Sequence, residues 1–326
     1  MPEEKLVTVL TPLYNKAPFL KDYIEGLAKQ TFLDKTKIIV TDNCSTDGSL
    51  EILKNYAEEY KVPIEFFQND ANMGIMYSIR KMYRKLDTKF FAVLDADDYY
   101  ISPQKLEKAV TFLDSHEKYS AYACSNLFVF ADGRKIPHFP NTARNTTYSG
   151  MKNTPFFQTA STTFRNNFTP QLLDEIDRIT EGRRDHAFSG DAFRNLLAHH
   201  FGKFYFENSV DSAWRRDVGY WGTMPPLEQD LANMTSHWIY FDFLTSQFGV
   251  DENAQHCLNL AWHFYNKCVD GLMAQLKTLN IIKFEERPKF KENFENLIGE
   301  DGYIVANAII DQCKKFNDIG LKVTVK

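Results

Sequence analysis

The sequence predicts an α/β fold in which a mostly parallel sheet is flanked by helices. Apolar, β-branched runs of strand length recur through the first half, segments of helical period separate them, and polar motifs follow the strands. This alternation is typical of right-handed βαβ units. The predicted strands are 5–11, 36–42, 62–68 and 89–95. The helices expected between and after them are 18–30, 45–60, 73–86 and 103–114.

Each of these elements has a local reason in the sequence. The runs "KLVTVLT", "TKIIVTD", "VPIEFFQ" and "KFFAVLD" are rich in residues that favour a buried, pleated strand. The first helix places Phe19, Tyr23 and Leu27 on one face. The second helix follows Ser, Thr and Asp residues that are suited to cap its N-terminus. The first half of the chain therefore alternates between segments that favour strands and segments that favour helices.

The pattern changes after residue 118. "YSAYACSNLFVF" predicts one long strand over 119–130, and the "DG" dipeptide that follows indicates a hairpin turn. Further expected elements are a loop at 140–160, helices at 169–179 and 189–200, and a strand at 203–208.

A second change follows "MPPLEQ", where the chain becomes aromatic-rich and helical in period. We therefore predict two domains, an α/β domain over 1–225 and a C-terminal α-helical region over 226–326. The expected helices of this region are 227–247, 252–279 and 287–315. Their aromatic stripes favour packing against the first domain, with self-association, a partner enzyme and peripheral membrane contact as alternatives.

Composition excludes several classes of function. With 38 basic and 43 acidic residues among 326, the net charge is -5, so we expect no nucleic-acid binding through phosphates. The N-terminus lacks the plan of a signal peptide, and no uncharged apolar run approaches the ~18 residues of a spanning helix. Five scattered cysteines without a C-x-x-C pair favour a reducing compartment. We therefore expect a cytoplasmic protein, with peripheral contact at the inner face of the membrane as an alternative.

Polar residues follow three of the predicted strands. Thr11–Asn15 come after the first strand, Asp42–Ser45 end the second, and Asp95–Asp98 end the fourth. Because ligands bind outside the carboxyl ends of parallel strands, these clusters are expected to meet at one edge of the sheet.

The stretch "FAVLDADDYY" places three carboxylates within four positions. Asp95, Asp97 and Asp98 repel one another unless a positive charge lies among them. Carboxylate oxygens at a strand end suit Mg²⁺, which completes its coordination with substrate phosphates and water. The alternative is that these aspartates are solvated turn or helix-cap residues.

Together these motifs resemble the inverting nucleotide-sugar glycosyltransferases of the GT-A fold, in particular family 2. "VTVLTPLYNKAPFLKDYIEGLAKQTF" is similar to the opening of that family, with P-x-Y-N and Q-T-F in place. "IIVTDNCSTDGS" is similar to its nucleotide loop, "NDANMG" to its N-x-G element and "LDADD" to its D-x-D motif. The motifs keep the family's order over residues 5–100, and a looser resemblance continues to about residue 220.

The resemblance implies roles at the nucleotide end of the site. Asp42 would hydrogen-bond the base, Asp95 would lie near the ribose and the metal, and Asp97 or Asp98 would bind the Mn²⁺ or Mg²⁺ that bridges the diphosphate. The residues implied to line the nucleotide pocket are Thr11, Pro12 and Tyr14. Core packing is the alternative for Tyr14, and a turn cap is the alternative for Asp42.

The resemblance also implies a general base. In this family the base is the Asp of an E-D-like motif at the start of a helix, and "FSGDAFRNLLAHH" offers Asp191 at that distance from D-x-D. Gly190 stands where most members carry Glu, so one carboxylate of the family pattern is missing. Asp185 and His186 are alternative bases, and a helix-cap role is the alternative for Asp191.

Downstream, "DSAWRRDVGYWG" falls where the family often carries Y-R-x-H-x-x-S. Arg215 or Arg216 would neutralise diphosphate charge there, unless the two are a solvated basic pair. Asp217 stands near the expected His, which puts a His role in doubt. Tyr220 and Trp221 would either offer an aromatic face to a sugar or pack in the core.

The implied function is the metal-dependent transfer of a hexosyl or N-acetylhexosaminyl group in polysaccharide biosynthesis. The donor would be a nucleotide sugar, with uridine the favoured nucleotide, and the acceptor a hydroxyl of a glycan, a lipid-linked molecule or another glycoconjugate. A nucleotidyltransferase on a similar sheet is one alternative, although "TPLYNKAPF" lacks the Gly-rich run of that class. A non-catalytic member that binds nucleotide sugar or scaffolds a complex is another, because of Gly190.

Overall fold

A computed structural model describes residues 4–139, 145–180, 190–219, 224 and 226–278. Its strands are β1 (Val7–Leu13), β2 (Thr36–Asp42), β3 (Ile64–Gln68), β4 (Phe90–Val93), β5 (Tyr99–Tyr100), β6 (Tyr119–Val129), β7 (Lys135–His138), β8 (Thr146–Tyr148), β9 (Thr162–Arg165) and β10 (Lys203–Arg215). Its helices are α1 (Leu20–Ala28), α2 (Ser49–Glu59), α3 (Ile75–Tyr83), α4 (Lys105–Ser115), α5 (Pro170–Thr180), α6 (Gly190–Phe201), α7 (Pro226–Phe248) and α8 (Glu252–Thr278).

The described strands form one sheet, and its first half is parallel as predicted. The strand order is β3-β2-β1-β4-β9-β6-β10-β5, with β7 added beside β6 and β8 beside β10. Strands β3, β2, β1 and β4 run parallel, joined by the helices that the sequence indicates. Their carboxyl ends therefore lie at one edge, where the polar loops follow.

The second half of the sheet is mixed rather than parallel. Strand β9 runs antiparallel between β4 and β6, and the turn after β6 makes the predicted hairpin with β7. Gly133 adopts φ +87° in that turn, a conformation that glycine adopts at little cost. The loop predicted at 140–160 contains the short strand β8, and β10 extends beyond the expected 203–208.

Helices cover both faces of the sheet, which explains why its central strands are apolar almost throughout. Leu10 and Ile39 face a core shared with α3, α6 and α7. Val9, Ile38 and Val40 face a second core, shared with α1, α2 and α4. Successive residues of one strand therefore enter opposite cores, as the two-residue period of a strand requires.

A close contact between α1 and β5 fixes the segment that follows the aspartates. A Cβ atom on Gly26 would lie 2.7 Å from the carbonyl oxygen of Tyr100 and 2.9 Å from its nitrogen. Only glycine lets the helix backbone approach the strand this closely. The turn with Asp95, Asp97 and Asp98 thus leads into a strand held directly against α1.

The first helices of the C-terminal region share the sheet's core. The Phe193 ring of α6 lies 5.5 Å from the Tyr240 ring and 5.1 Å from the Phe243 ring, measured between centroids. None of the helices in the described ranges is long and apolar enough to cross a membrane. The boundary at residue 225 and the expected helix 287–315 lie outside the described residues, so the two-domain division stays a prediction.

Candidate active site

The loops after β1 and β2 are tied to each other by their main chains and short polar side chains. Asn15 adopts φ +51°, a left-handed conformation that Asn tolerates better than most residues. Its neighbours then present their amides to the opposite loop. The hydrogen bonds are Asn15 N to Ser45 Oγ (3.0 Å), Lys16 N to Ser49 Oγ (2.7 Å), Ala17 N to Asp47 Oδ2 (3.0 Å) and Thr46 N to Asn15 Oδ1 (2.8 Å).

Asp42 organises the second loop from a buried position. Its carboxylate accepts hydrogen bonds from Ser45 Oγ at 2.5 Å and from Gln68 Nε2 at 3.1 Å, and the Ser45 amide lies 3.2 Å from Oδ2. No part of Asp42 is exposed. Its carboxylate is therefore satisfied by protein groups, and it shapes the loop that begins at Asn43.

The three residues expected to line a pocket after β1 differ in accessibility. The Thr11 hydroxyl is buried and lies 2.7 Å from the Tyr23 hydroxyl, so it faces α1 rather than the edge. Pro12 is buried as well. Tyr14 is 42% exposed and stands at the end of the strand, where a ligand can reach its ring.

The positive charge among the aspartates is Lys16. Its Nζ lies 2.5 Å from Asp97 Oδ2, and the two side chains are 23% and 11% exposed. Asp98 is 2% exposed, and its Oδ1 accepts the main-chain amide of Arg215 at 2.9 Å. Of the two aspartates that the sequence leaves as candidate metal ligands, Asp97 pairs with an ammonium and Asp98 anchors the end of β10, while the metal role of either one stays a prediction.

Burial and mutual repulsion raise the pKa values of two of these carboxyls. Burial, then the charge of Asp97, raise the pKa of Asp95 to about 7. Burial and the charges of Asp97 and Asp95 hold the pKa of Asp98 well above its ordinary value. The charge of Asp191 also raises the pKa of Asp95. The Asp191 carboxylate, from a later part of the chain, therefore lies near enough to Asp95 for the two charges to interact.

Arg215 anchors the aspartate turn instead of presenting a free guanidinium. It donates to the main-chain oxygen of Asp97 and pairs with Asp22 on α1. Its guanidinium carbon also lies 5.0 Å from the ring centroid of Tyr99. The guanidinium of Arg216 lies over the Trp214 ring at 4.3 Å. Both arginines have partners within the protein, so neither is the solvated pair considered from the sequence.

Asp191 lies in the first turn of α6, next to the 3-10 turn that precedes β9. Thr159 Oγ1 lies 3.5 Å from Asp191 Oδ2, at the long limit of a hydrogen bond. The helix N-terminus stabilises negative charge at this position. Asp185 and His186, the alternative bases, lie outside the described residues, as do Tyr220 and Trp221.

Sequence reasoning missed Arg194, the cation that holds this corner together. Its side chain is buried, with Nη1 donating to Tyr83 Oη at 3.2 Å and Nη2 to Thr159 Oγ1 at 3.2 Å. Burial opposes its charged form, but the interactions with Tyr83, Asp191 and Asp95 outweigh burial and raise the pKa of Arg194. A charged residue on the apolar face of a predicted helix is the signal that would have found it, because a buried charge needs partners.

The space beside Gly190 is filled by other side chains. A Cβ atom there would lie 2.7 Å from Met76 Sδ and 3.3 Å from Arg194 Nη1. Where most members of the family that the sequence resembles carry a carboxylate, this chain thus brings a thioether and a buried guanidinium together.

The aspartate cluster fits a divalent cation that takes few protein ligands. Within the described residues no group of three or more His, Cys, Asp or Glu side chains is placed to hold a metal ion. Asp97 already holds a cation through Oδ2, and carboxylate oxygen is a ligand that Mg²⁺ and Mn²⁺ accept. The remaining ligands would have to come from the substrate and water.

Solved structures place this arrangement in a known fold. TarS of Staphylococcus aureus in complex with UDP-GlcNAc superposes with a TM-score of 0.60 at 17% identity, covering 89% of this chain and 80% of that one. The mannosyltransferase PcManGT from Pyrobaculum calidifontis, in complex with GDP-Man and Mn²⁺, gives 0.51 at 15% identity, covering 86% and 82%. At these identities the likeness is one of fold, and the fold is the GT-A fold of glycosyltransferases.

A family model described as "Glycosyl transferase family 2" matches residues 8–171, and the chain belongs to that family. The putative glycosyltransferase EpsE of Bacillus subtilis is 31% identical over 138 residues, covering 41% of this chain and 49% of EpsE. The putative teichuronic acid biosynthesis glycosyltransferase TuaG of the same organism is 30% identical over 151 residues, covering 46% and 58%. The chain spans about half the length of the curated relatives it matches.

Proposed function

We propose that this protein transfers a sugar from a nucleotide diphosphate, preferentially a UDP-sugar, to a hydroxyl group of a glycan or glycoconjugate, with inversion at the anomeric carbon. The observation that carries the proposal is that Asp191, in the first turn of α6, lies near enough to the aspartate turn after β4 for its charge to raise the pKa of Asp95. Such a transfer needs a cation at the leaving diphosphate and a base across the sugar from it.

The donor half of the site would be formed by the loops after β1 and β2. The nucleotide base would lie between the exposed ring of Tyr14 and the loop that Asp42 holds in shape. The bound UDP-GlcNAc of TarS supports uridine as the nucleotide, as a property of a protein with the same fold. The diphosphate would then extend toward Asp95 and Asp97.

Asp97 would hold a divalent cation, Mn²⁺ or Mg²⁺, through its carboxylate, with Asp95 beside it. Such an ion, when bound, stabilises the negative charge that develops on the departing diphosphate. Asp98 and Arg215 would keep the turn in place, since the Asp98 carboxylate accepts the Arg215 amide. The Mn²⁺ bound by PcManGT supports a divalent cation without fixing which one.

Asp191 would act as the general base. It would accept the proton of the acceptor hydroxyl while the acceptor oxygen bonds to the anomeric carbon and the bond from that carbon to the diphosphate breaks. Arg194 would keep Thr159 in place through its buried hydrogen bond, and its charge would stabilise the Asp191 carboxylate. The interaction of Asp191 with Asp95 counts against a non-catalytic scaffold, and membership of family 2 counts against a nucleotidyltransferase.

The acceptor would be a polymer of the kind handled by bacterial relatives. TuaG is named for teichuronic acid biosynthesis, and TarS for transfer of N-acetylglucosamine to poly(ribitol-phosphate). We extend only the chemical class to this chain, a polyhydroxyl glycan or polyol-phosphate chain with free hydroxyls. Cytoplasmic placement, membrane contact and self-association stay predictions.

A donor screen followed by transfer assays tests the proposal. The full chain is screened by thermal shift against UDP-, GDP-, CDP- and dTDP-sugars with Mn²⁺, because a ligand specific for the native state raises its apparent stability. The best donor is then used in transfer to an acceptor panel, with and without EDTA. We expect UDP-sugars to give the largest shift and EDTA to abolish transfer.

Two variants separate the two halves of the site. Asp191→Asn should lower transfer by about 10²- to 10⁴-fold while leaving donor affinity within about threefold. Asp97→Asn should weaken donor binding in Mn²⁺. Asp114→Asn, a change to an exposed aspartate on α4 paired with Lys89, is the control. Full transfer by Asp191→Asn would remove that residue from the mechanism, and donor binding indifferent to EDTA would remove the metal.

A further inference from the structure

We propose that Lys16 is the counter-ion of Asp97 before the donor binds, and that it exchanges Asp97 for the donor diphosphate when a divalent cation arrives. The inference rests on the proposed function and assigns Lys16 a role that couples metal binding to donor binding. Its starting point is the ion pair between Lys16 Nζ and Asp97 Oδ2, 2.5 Å apart at the edge of the sheet.

The ion pair occupies the carboxylate that a metal would need. An ammonium and a divalent cation repel each other, and both seek the same oxygen, so they compete for Oδ2 of Asp97. Partial burial strengthens this competition, because the two side chains are only 23% and 11% exposed. In the described part of the chain, Lys16 is the residue that forms an ion pair with Asp97.

The main chain of Lys16 is fixed by hydrogen bonds, so the proposed exchange requires movement of its side chain only. The Lys16 amide donates to Ser49 Oγ at 2.7 Å, and the amides on either side donate to Ser45 Oγ at 3.0 Å and Asp47 Oδ2 at 3.0 Å. Movement is therefore confined to the four-carbon stem, which carries a compact charge with rotatable donors. A displaced Lys16 stays beside the loops that would hold the diphosphate.

Two other nearby cations, Arg194 and Arg215, are already held by partners. Arg194 is buried and donates to Tyr83 and Thr159. Arg215 is held by Asp22 and by the main-chain oxygen of Asp97. A metal that arrives alone would thus leave the Lys16 ammonium without a counter-charge. The donor diphosphate brings that counter-charge, so metal and donor should bind strongly only together.

The test is a Mn²⁺ titration of the full chain, followed by electron paramagnetic resonance, with and without UDP. In wild type we expect weak binding of Mn²⁺ alone and a large gain in affinity when UDP is present. Lys16→Met should bind Mn²⁺ alone about tenfold more tightly, because one competing charge is gone, and should gain less from UDP. Lys16→Arg, which keeps the charge, should bind Mn²⁺ alone as weakly as wild type.

Lys21→Met is the matched control, since it removes the same charge from an exposed position on α1. A Lys16→Met protein that binds Mn²⁺ alone no more tightly than wild type would overturn the exchange while leaving the proposed function intact. An equal gain in Mn²⁺ affinity in Lys21→Met would also overturn it, because the gain would then follow from the change in net charge alone. A wild type that binds no Mn²⁺ even with UDP would overturn both proposals.

Discussion

The two halves of the candidate site hold their functional groups in different ways. In the nucleotide half, the loops after β1 and β2 are joined by several hydrogen bonds between main-chain amides and the oxygens of Asn, Ser and Asp side chains. The proposed acceptor half consists of Asp191 at the start of α6 and the residues around it. There the buried guanidinium of Arg194 joins α6 to α3 and to the turn before β9. The first half is braced by several short-range hydrogen bonds, whereas in the second Arg194 is the residue that bonds both Tyr83 and Thr159.

The difference follows from how each half is assembled. Adjacent parallel strands bring their following loops within reach of short side chains, as Asn15 and Ser45 illustrate. Helix α6 approaches the sheet from a later part of the chain, and the gap to Tyr83 and Thr159 is spanned by a long cation. The comparison predicts large effects from single changes in the acceptor half and smaller ones in the nucleotide loops.

The largest effect is expected for Arg194→Met. Removing the guanidinium leaves Thr159 and Tyr83 without their donor, and Asp191 loses its neighbouring positive charge. We expect kcat to fall about 10²-fold with the donor KM unchanged, and the free energy of unfolding to fall by about 3 kcal/mol. Steady-state kinetics and urea unfolding measure the two quantities.

Arg194→Lys sharpens this test because it keeps the charge but loses the fork of donors. We expect it to recover part of kcat and most of the stability. A kcat for Arg194→Met within twofold of wild type would contradict the dependence of the acceptor half on this residue.

Gly26→Ala tests the close contact between α1 and β5 that fixes the segment after the aspartate turn. The new Cβ would meet main-chain atoms of Tyr100 at 2.7 and 2.9 Å, and main chain cannot move aside as a side chain does. Overpacking of this kind should lower the free energy of unfolding by about 2–3 kcal/mol. Chemical denaturation checks it, with Gly219→Ala as control because a Cβ there meets no atom within 4 Å. Equal stability of the two variants would refute the close contact.

We expect acid to lower the free energy of unfolding through His199, which lies on α6. Burial lowers the pKa of His199 to about 4, and its ring is stacked on Phe204. The unfolded chain, with a His pKa of about 6.5, binds the proton more readily, so stability is full above about pH 6.5 and is lost as pH falls toward 4. Between pH 7.5 and 5 we expect this residue to contribute a loss of about 2 kcal/mol.

His199→Leu should remove that contribution while keeping an apolar contact with Phe204. The measurement is urea unfolding of wild type and variant at both pH values. The change in free energy of unfolding between the two pH values is compared for the two proteins, and the difference is the contribution of His199. Identical pH dependence in the two proteins would show that His199 does not titrate in this way.

The smallest effect is expected for Ser45→Ala in the nucleotide loop. The change removes the hydroxyl that accepts from the Asn15 amide and donates to Asp42, yet Gln68 still donates to the same carboxylate. We expect a loss of about 1 kcal/mol in the free energy of unfolding. A loss of 3 kcal/mol or more would mean that this loop, too, depends on one residue. The double variant with Gln68→Ala should be more than additive, because both residues serve Asp42.

Local patterns were enough to predict the elements of the first half. The predicted strands at 5–11, 36–42, 62–68 and 89–95 each fall within two residues of β1, β2, β3 and β4 at either end. Strands β1, β2 and β4 are buried on both faces, so hydrophobicity alone marks them, whereas the edge strand β3 is only half-buried. The pairing of strands in the mixed second half was harder to predict, because strands such as β9 pair with strands far away in the chain.

The residues that the sequence did not reveal are those whose roles depend on a distant partner. Lys16 sits inside a recognised motif, but its pairing with Asp97 joins the loop after β1 to the turn after β4. Arg194 is one of several charges in its segment, and only packing shows that it is buried. Conversely, Thr11 and Arg215 follow the family pattern in sequence, although the structure directs both toward partners within the protein.

From the sequence, the strand and helix periods predict an α/β protein whose polar loops converge at the carboxyl edge of a sheet, because these periods are local properties. The GT-A type follows from the resemblance of the motifs to family 2. Only the folded structure shows which carboxylate pairs with Lys16, which one anchors a strand, and which cation joins α6 to Tyr83 and Thr159. Those choices depend on burial and on distances between atoms far apart in the chain, as for Asp97 with Lys16 and Asp98 with Arg215.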